Sequence, residues 1–168
     1  MITYVKGNLL KGGDDVICHG CNCICNMGAG VALEVKNTYP EAFAVDKATK
    51  FADESKLGTY TQWTGQNVYF PEKLITIVNA YTQFSIFGRD FRFPKYNKKD
   101  LFEYEHFQKI VERMNVEFQG KTIAFPKIGC GLAGGSFPRV VQIINEVFKE
   151  REVKMYLLDL KELEKIKI

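Results

Sequence analysis

Two glycine-rich turns in this sequence have the residue types and spacing of anion-binding sites. The first lies within residues 18–33 and the second within residues 125–136. In each, an apolar run precedes the glycines and a helical pattern follows them. Glycines let a ligand approach the backbone closely, and the start of a helix offers unpaired N–H groups with a partial positive charge. Each turn is therefore a candidate phosphate-binding site, and the presence of two such turns predicts a ligand with two linked phosphates.

Two other interpretations of the glycines stay open at this point. Gly129, Gly131 and Gly134 match the Gly-x-Gly-x-x-Gly fingerprint of dinucleotide-binding folds. That fold needs a further βαβ unit and an acidic residue about 20 positions on, whereas one predicted strand remains in this chain. The glycines can also be simple tight turns that join a strand to a helix.

His19 is the titratable side chain best suited to phosphate chemistry. Imidazole accepts a phosphoryl group or exchanges protons near neutral pH, but a histidine at a strand end is also often a hydrogen-bonded structural residue. Asn22 and Asn26 carry amides that hydrogen-bond sugar hydroxyls, and asparagine is equally common in turns. The spacing leaves both alternatives open for all three residues.

The cysteines around His19 resemble a metal site only superficially. Zinc accepts thiolate and imidazole ligands, and Cys18, Cys21, Cys23 and Cys25 lie within eight residues. Zinc sites usually combine ligand pairs from separate segments, and buried cysteine is a common small apolar side chain. The pattern favours packing in the core or the pocket, so we expect neither a metal nor a cofactor.

The composition indicates one domain over residues 1–168. The chain is 46% hydrophobic, and its net charge of +3 indicates neither a nucleic-acid partner nor a membrane partner. Five cysteines, an odd number, favour free thiols in a reducing compartment, so we expect a cytoplasmic monomer. Residues 84–99 mix basic and aromatic side chains, which fits base stacking with phosphate contact, but packing of this loop on the domain is favoured.

Hydropathy patterns predict strands interleaved with helices, and therefore an α/β fold. We expect strands over residues 2–6, 16–18, 58–63, 67–70, 74–80, 121–125 and 154–158, and helices over residues 31–39, 40–53 and 100–117 and after Ser136. The buried side of the second helix is predicted to hold Ala44, Ala48, Phe51 and Ala52. Turns of hairpin length join the three middle strands, so the sheet should be mixed. Ligands of such sheets bind beyond the carboxyl ends of the strands, where both glycine turns lie.

Four segments resemble macro domains, a family of ADP-ribose-binding modules. They are residues 2–9, 17–23, 27–32 and 126–132, and they follow in the family's order over nearly the whole chain. The resemblance implies a three-layer α/β/α sandwich with a mixed central sheet. It also implies that the ligand is an ADP-ribose derivative, either a small molecule or ADP-ribose carried by a protein.

The same resemblance assigns site residues position by position. Asn8, next to Leu9, stands where the family contacts the adenine amino group, and Asn22 stands where an asparagine lines the distal ribose. The residues implied to hold this ribose and its phosphate are Met27, Gly28, Ala29, Gly30, Val31 and Ala32. Those implied to wrap the diphosphate are Ile128, Gly129, Cys130, Gly131, Leu132, Ala133 and Gly134. Leu158 and Asp159 are expected near the adenine.

Two branches of the family share motifs with this chain. It is similar to the terminal ADP-ribose protein glycohydrolases in residues 27–30 and 128–132, but residues 76–83 lack that branch's lysine and Ala133 stands at its aspartate position. It resembles the ADP-ribose 1″-phosphate phosphatases around His19, which matches a catalytic histidine of that branch. The resemblance therefore implies a phosphatase with His19 and Asn22 as catalytic residues. The alternatives are an ADP-ribose reader without turnover and an ADP-ribosyl or O-acetyl-ADP-ribose hydrolase.

Overall fold

The computed structural model describes residues 1–86, 92–96, 101–131 and 133–166. The strands of this part of the chain are β1 (Ile2–Lys6), β2 (Val16–Cys21), β3 (Tyr60–Gln66), β4 (Leu74–Tyr81), β5 (Ile123–Phe125) and β6 (Val153–Leu157). The helices are α1 (Gly30–Thr38), α2 (Pro40–Lys47), α3 (Tyr104–Glu117) and α4 (Phe137–Val147). Short 3₁₀ helices cover Leu9–Lys11, Glu54–Lys56, Pro94–Tyr96 and Leu160–Lys165.

The strands form one mixed sheet in the order β1-β6-β5-β2-β4-β3. The pair β3 and β4 is antiparallel, and the other neighbouring pairs are parallel. The predicted mixed sheet is therefore confirmed, with β1 at one edge. Because parallel strands point the same way, the segments that follow β1, β6, β5, β2 and β4 meet at one edge of the sheet.

Helices cover both faces of the sheet, which confirms the three-layer sandwich. On one face, Val16 and Cys18 of β2 pack with side chains of α3 and α4. On the other face, Ile17 packs with Val35 of α1 and Ala42 of α2. The alternation along β2 follows from the period of two in a strand and directs successive side chains to opposite layers. None of the helices in the described ranges is long and apolar enough to cross a bilayer.

The strand predicted over residues 67–70 is wrong, because this segment is a turn. The side-chain oxygen Oδ1 of Asn67 accepts hydrogen bonds from the backbone N–H groups of Tyr69 (2.9 Å) and Phe70 (3.2 Å). Asn67 also donates its backbone N–H to the carbonyl of Lys73 at 2.9 Å. These bonds close a loop between β3 and β4. Some of the apolar residues that predicted a strand here have exposed side chains.

The second predicted helix is shorter than expected and buries a different side. It ends at Lys47, and its buried residues are Ala42 and Asp46, whereas Ala44 and Ala48 are exposed and Phe51 is 51% exposed. Asp46 can be buried because its carboxylate Oδ1 accepts a hydrogen bond from the hydroxyl of Tyr81 at 2.8 Å. A buried polar residue thus broke the apolar pattern on which the prediction relied.

Candidate functional site

A cavity of about 830 Å³ opens at the sheet edge where the parallel strands end, and both glycine turns form its wall. The predicted site residues in this wall are Asn8, Leu9, Asn22, Gly28, Ala29, Gly30, Val31, Ala32, Ile128, Gly129, Cys130, Gly131, Ala133 and Leu158. The wall does not include Met27, Gly134 or Asp159, and Met27 is instead a buried core residue. Leu132 lies outside the described residues.

The first turn is built by two asparagine side chains. Oδ1 of Asn22 accepts hydrogen bonds from the backbone N–H groups of Ile24 (3.1 Å) and Asn26 (3.3 Å), and its Nδ2 donates to the carbonyl of Asn26 at 2.9 Å. Oδ1 of Asn26 accepts from the backbone N–H of Gly28 at 2.9 Å. The turn interpretation is therefore correct for both residues, and Asn22 keeps one N–H of its amide for a ligand.

The first turn delivers the start of α1 to the cavity. Gly30 has a φ of +59°, in the left-handed region that favours glycine, and Ala29 at the N-cap makes no side-chain capping bond. Gly30, Val31 and Ala32, the first residues of α1, all line the cavity. Their N–H groups lack partners within the helix, so this wall can bind an anion.

The second turn is built by close packing of glycines. A Cβ on Gly129, which has a φ of +72°, would lie 2.2 Å from the ring of Phe102, and a Cβ on Gly135 would lie 2.5 Å from the carbonyl oxygen of Gly129. The backbone N–H groups of Leu101 and Phe102 donate to the carbonyl of Ala133 at 2.9 and 3.2 Å. Unlike α1, the helix that follows, α4, begins beyond the cavity wall, so this turn offers loop backbone rather than a helix start.

His19 is not among the residues that line the cavity, so the structure does not bring it together with the other predicted site residues, and its contact with a terminal phosphate stays a prediction. His19 is 1% exposed, and it lies on the face of β2 covered by α2. Nδ2 of Asn79 donates to the carbonyl of Ala42 (3.1 Å) and to Oγ1 of Thr61 (3.2 Å), so Oδ1 of Asn79 accepts from Nε2–H of His19 at 2.8 Å. Burial lowers the pKa of His19 to about 4, against a smaller opposing effect of this hydrogen bond. The imidazole is therefore neutral at physiological pH and acts as a structural residue in this arrangement.

Cys21, Cys23 and Cys130 are protonated thiols near the site, because burial raises the pKa of each. Cys18, Cys21 and Cys23 are buried, and Cys21 and Cys130 line the cavity. Burial raises the pKa of Cys130 to about 11 and that of Cys23 to about 12. The predicted packing role is confirmed for the three buried cysteines. Within the described ranges, no group of three or more His, Cys, Asp or Glu residues is arranged to hold a metal ion.

Charged residues in the wall were not predicted from the sequence. They are Glu34, Lys127 and Glu162. Nζ of Lys127 lies 3.1 Å from a carboxylate oxygen of Glu162 and 4.9 Å from the ring centroid of Phe137. The wall also contains Gly7, Gly20, Gln83, Ile86 and Tyr156. Most of these residues could have been found from the sequence by their position at or just after the carboxyl end of a strand. Glu34 could have been found by its position one turn into α1.

Residues 18–144 match the model of the Macro domain family, which is three quarters of the chain. The chain belongs to the macro domain family. It is similar to a 17.5 kDa protein of phage T4, with 29% identity over 160 residues that cover 91% of this chain and 94% of that protein. A human ADP-ribose glycohydrolase is 28% identical over 158 residues, covering 92% and 88% of the two chains. The ADP-ribose 1″-phosphate phosphatase of Saccharomyces cerevisiae is 44% identical over 43 residues, or 24% of each chain.

Solved structures show the same macro domain fold. A Bacteroides thetaiotaomicron protein superimposes with a TM-score of 0.73 and 26% identity, over 93% of this chain and 97% of that one. Thermosipho africanus DarTG, solved in complex with ADP-ribose, superimposes with a TM-score of 0.68 and 18% identity over 95% of this chain and 42% of that one. The predicted fold class is therefore confirmed.

This macro domain packs the described part of its aromatic segment onto the body of the protein. Within the segment, the rings of Phe84 and Tyr96 stack with their centroids 4.0 Å apart. The ring of Phe93 contacts Phe51 of the preceding part of the chain, with centroids 6.2 Å apart. Nζ of Lys95 lies 3.2 Å from a carboxylate oxygen of Glu54. These contacts agree with the predicted packing role rather than with base stacking. The rest of the segment, residues 87–91 and 97–99, lies outside the described residues.

Proposed function

We propose that this macro domain binds ADP-ribose and its derivatives, with the diphosphate held between the two glycine turns. The observation that carries the proposal is that Ala29 and Gly131, about 100 positions apart in the chain, line one cavity. The volume of about 830 Å³ is within the usual range for nucleotide-sized ligands. The exposed N–H groups of the two turns supply the hydrogen-bond donors that a diphosphate requires.

The order of strands supports this placement of the diphosphate. The second turn follows β5 and the first turn follows β2, and β5 and β2 are neighbours in the sheet. The two turns therefore lie side by side in the middle of the strand-end edge, with room for one ligand group at either side. ADP-ribose has this layout, since its two phosphates lie in the centre and its base and its distal ribose lie at opposite ends.

Binding is tested by calorimetry with ADP-ribose. The wild-type protein is compared with a variant that carries an added charge in the second turn. A Cβ at Gly131 meets nothing within 4 Å, so Gly131→Asp adds a carboxylate to the wall without a clash. We expect the affinity to fall by more than about tenfold through repulsion of the diphosphate. Gln119→Asp adds the same charge at an exposed position outside the wall and should bind as the wild type. Absence of saturation with the wild-type protein would overturn the proposal.

A second candidate function is removal of the 1″-phosphate from ADP-ribose 1″-phosphate. It is favoured by the similarity to the yeast phosphatase and by Asn22, which lies in the wall with one amide N–H available. The described wall contains neither His nor Asp. Apart from the wall carboxylates Glu34 and Glu162, catalysis would therefore depend on the positioning of the substrate and of the attacking water and on backbone N–H groups that stabilise the charge developing on phosphorus. His19 would support the strand that carries Asn22 and would not contact the phosphate.

Phosphate release separates the candidates. Wild-type protein and His19→Gln are incubated with ADP-ribose 1″-phosphate, and free phosphate and ADP-ribose affinity are measured in parallel. Release by both proteins supports the phosphatase with His19 as a structural residue, whereas loss in His19→Gln with unchanged binding and stability restores a direct role for this residue. Binding without release excludes the phosphatase and leaves the reader and the ADP-ribosyl or O-acetyl hydrolase. Hydrolysis of ADP-ribosyl or O-acetyl esters is the third candidate, and it is supported by the similarity to the human ADP-ribose glycohydrolase over 92% of the chain. It would need catalytic groups other than a lysine on β4 or a side-chain carboxylate at Ala133, because β4 carries no lysine and Ala133 contributes a methyl group to the wall.

A further inference from the structure

A cysteine and a buried lysine meet beside the first turn, outside the cavity wall. Nζ of Lys56 lies 3.9 Å from Sγ of Cys25. Lys56 is 8% exposed and is the one buried lysine in the described part of the chain, whereas Cys25 is partly exposed to solvent. Neither residue lines the cavity, so the pair is separate from the ligand site proposed above.

The amine of Lys56 is held near the thiol by its other contacts. It donates to Oγ1 of Thr49 at 2.8 Å and lies 5.3 Å from the ring centroid of Tyr81. Oγ1 of Thr49 is itself 3.6 Å from Sγ of Cys25. A buried lysine needs such partners, because burial removes water from its polar head. The Thr49 hydroxyl therefore contacts both groups and keeps them together.

The amine is the strongest nucleophile in contact with the sulfur of Cys25. The other contacts of this sulfur are the Thr49 hydroxyl and the carbonyl oxygens of Asp46 at 3.6 Å and Thr49 at 3.8 Å. A thiol that peroxide converts to sulfenic acid condenses with a nearby thiol or nitrogen. Because none of these contacts is a thiol, the nitrogen of Lys56 is the partner that the geometry offers.

We propose that hydrogen peroxide joins Cys25 to Lys56 through a sulfur–nitrogen bond. In the first step the thiol is oxidised to a sulfenic acid, and peroxide is reduced to water. In the second step the ammonium group loses one proton to solvent and Nζ bonds to sulfur. The S–O bond breaks, and the hydroxyl group leaves as water with a second proton from the nitrogen. A dithiol reductant breaks the S–N bond, restores the amine and the thiol, and is itself oxidised to a disulfide.

This bond ties the first turn to the 3₁₀ helix Glu54–Lys56, which follows α2 in the chain. Cys25 directly precedes Asn26, a residue of the cavity wall. The structure therefore places a reversible modification site beside the first turn. The inference does not depend on which ligand the cavity binds.

The test is intact-mass and fragment mass spectrometry of the full chain after treatment with hydrogen peroxide. We expect the wild-type protein to lose two hydrogen atoms, about 2 Da, with residues 25 and 56 joined in one fragment. Dithiothreitol should restore the original mass. In Lys56→Gln, which has no amine at this position, Cys25 should gain oxygen instead. Lys50→Gln removes an exposed lysine of the same segment and should keep the link. Melting temperatures check that both variants are folded.

Each outcome decides the inference. A joined fragment in the wild type and in Lys50→Gln, absent from Lys56→Gln, establishes it. Oxygen gain at Cys25 with Lys56 free overturns it, and so does a disulfide between Cys25 and another cysteine or a Cys25 thiol left unreacted. If Lys56→Gln does not fold, the presence or absence of the joined fragment in the wild type decides alone. Failure of this inference leaves the proposed function intact, because ADP-ribose binding is measured separately.

Discussion

The two glycine turns form one wall of the cavity but are held in place by different forces. The first turn is tied together by side-chain amides, with Asn22 and Asn26 satisfying backbone groups of residues 24–28. The second is held by the absence of side chains, since Gly129 and Gly135 pack against Phe102 and against each other's backbone. One turn depends on bonds that a substitution would remove. The other depends on space that a substitution would fill.

This difference shows that two sequence segments with similar glycine content need not tolerate the same changes. In the first turn, Gly30 has a left-handed φ, but a Cβ added there would meet open space. A substitution of Gly30 would therefore strain the backbone without causing a steric clash. In the second turn, Gly129 has both the left-handed φ and the steric conflict. The second turn should therefore be the more rigid of the two turns.

The largest effect is expected in the second turn. Gly129→Ala places a Cβ 2.2 Å from the ring of Phe102 and imposes a positive φ on alanine. We expect a loss of about 3 kcal/mol in the free energy of unfolding, or about 6 to 12 °C in melting temperature. Gly131→Ala, which meets nothing within 4 Å, should change the stability by less than about 0.5 kcal/mol. Equal stabilities of the two variants would show that packing does not hold this turn.

In the first turn, Asn22→Ala removes three hydrogen bonds to backbone groups. We expect urea denaturation to show a loss of about 2 to 3 kcal/mol in the free energy of unfolding. The affinity for ADP-ribose should also be weaker, because the hydrogen bonds that fix the backbone of the turn are lost. Asn26→Ala removes one bond, to Gly28, and should cost about 1 kcal/mol. If Asn26→Ala costs as much as Asn22→Ala, the first turn is not organised around Asn22.

Acid should lower the free energy of unfolding through a residue of the strand that precedes the first turn, whereas the strand that precedes the second turn contributes no pH dependence. His19 is at the end of β2, with a folded-state pKa of about 4, whereas β5 contains no titratable side chain. The unfolded imidazole binds a proton near pH 6.5, so protonation favours the unfolded state and stability falls as the pH drops below that value. Between pH 7.5 and pH 5 we expect His19 to account for a loss of about 2 kcal/mol. The measurement is urea denaturation at both pH values, and in His19→Gln this part of the pH dependence should disappear. A His19→Gln slope equal to that of the wild type would exclude His19 as its source.

The smallest effect is expected at the ion pair beside the second turn. Lys127 and Glu162 are 27% and 25% exposed at their side chains, so water screens their attraction. Glu162→Gln should lower the stability by about 0.5 kcal/mol at low salt and by less at high salt. The exposed Glu164 on the same 3₁₀ helix provides the control, Glu164→Gln. A loss of more than about 2 kcal/mol in Glu162→Gln would mean that charge pairing, as well as glycine packing, holds this turn.

Local patterns were reliable where one residue type has one physical consequence. The predicted boundary between the helices over residues 31–39 and 40–53 is confirmed, because Pro40 restricts the residue before it and fits the first turn of α2. The two glycine turns were likewise located correctly. Patterns failed where tertiary contacts overrode them, as at Asp46, which is buried because Tyr81 pairs with it. Asn67 similarly forms a turn in a segment whose apolar residues predicted a strand.

The sequence by itself determined the α/β class, the family and the two turns that form the middle of the site. Only the tertiary structure decided that the turns share one cavity and that His19 lies outside it. The reason is that glycine spacing and hydropathy act within a few residues, whereas the meeting of the turns depends on β2 and β5 becoming neighbours. The direction of the His19 side chain depends in turn on which face of β2 the helix α2 covers.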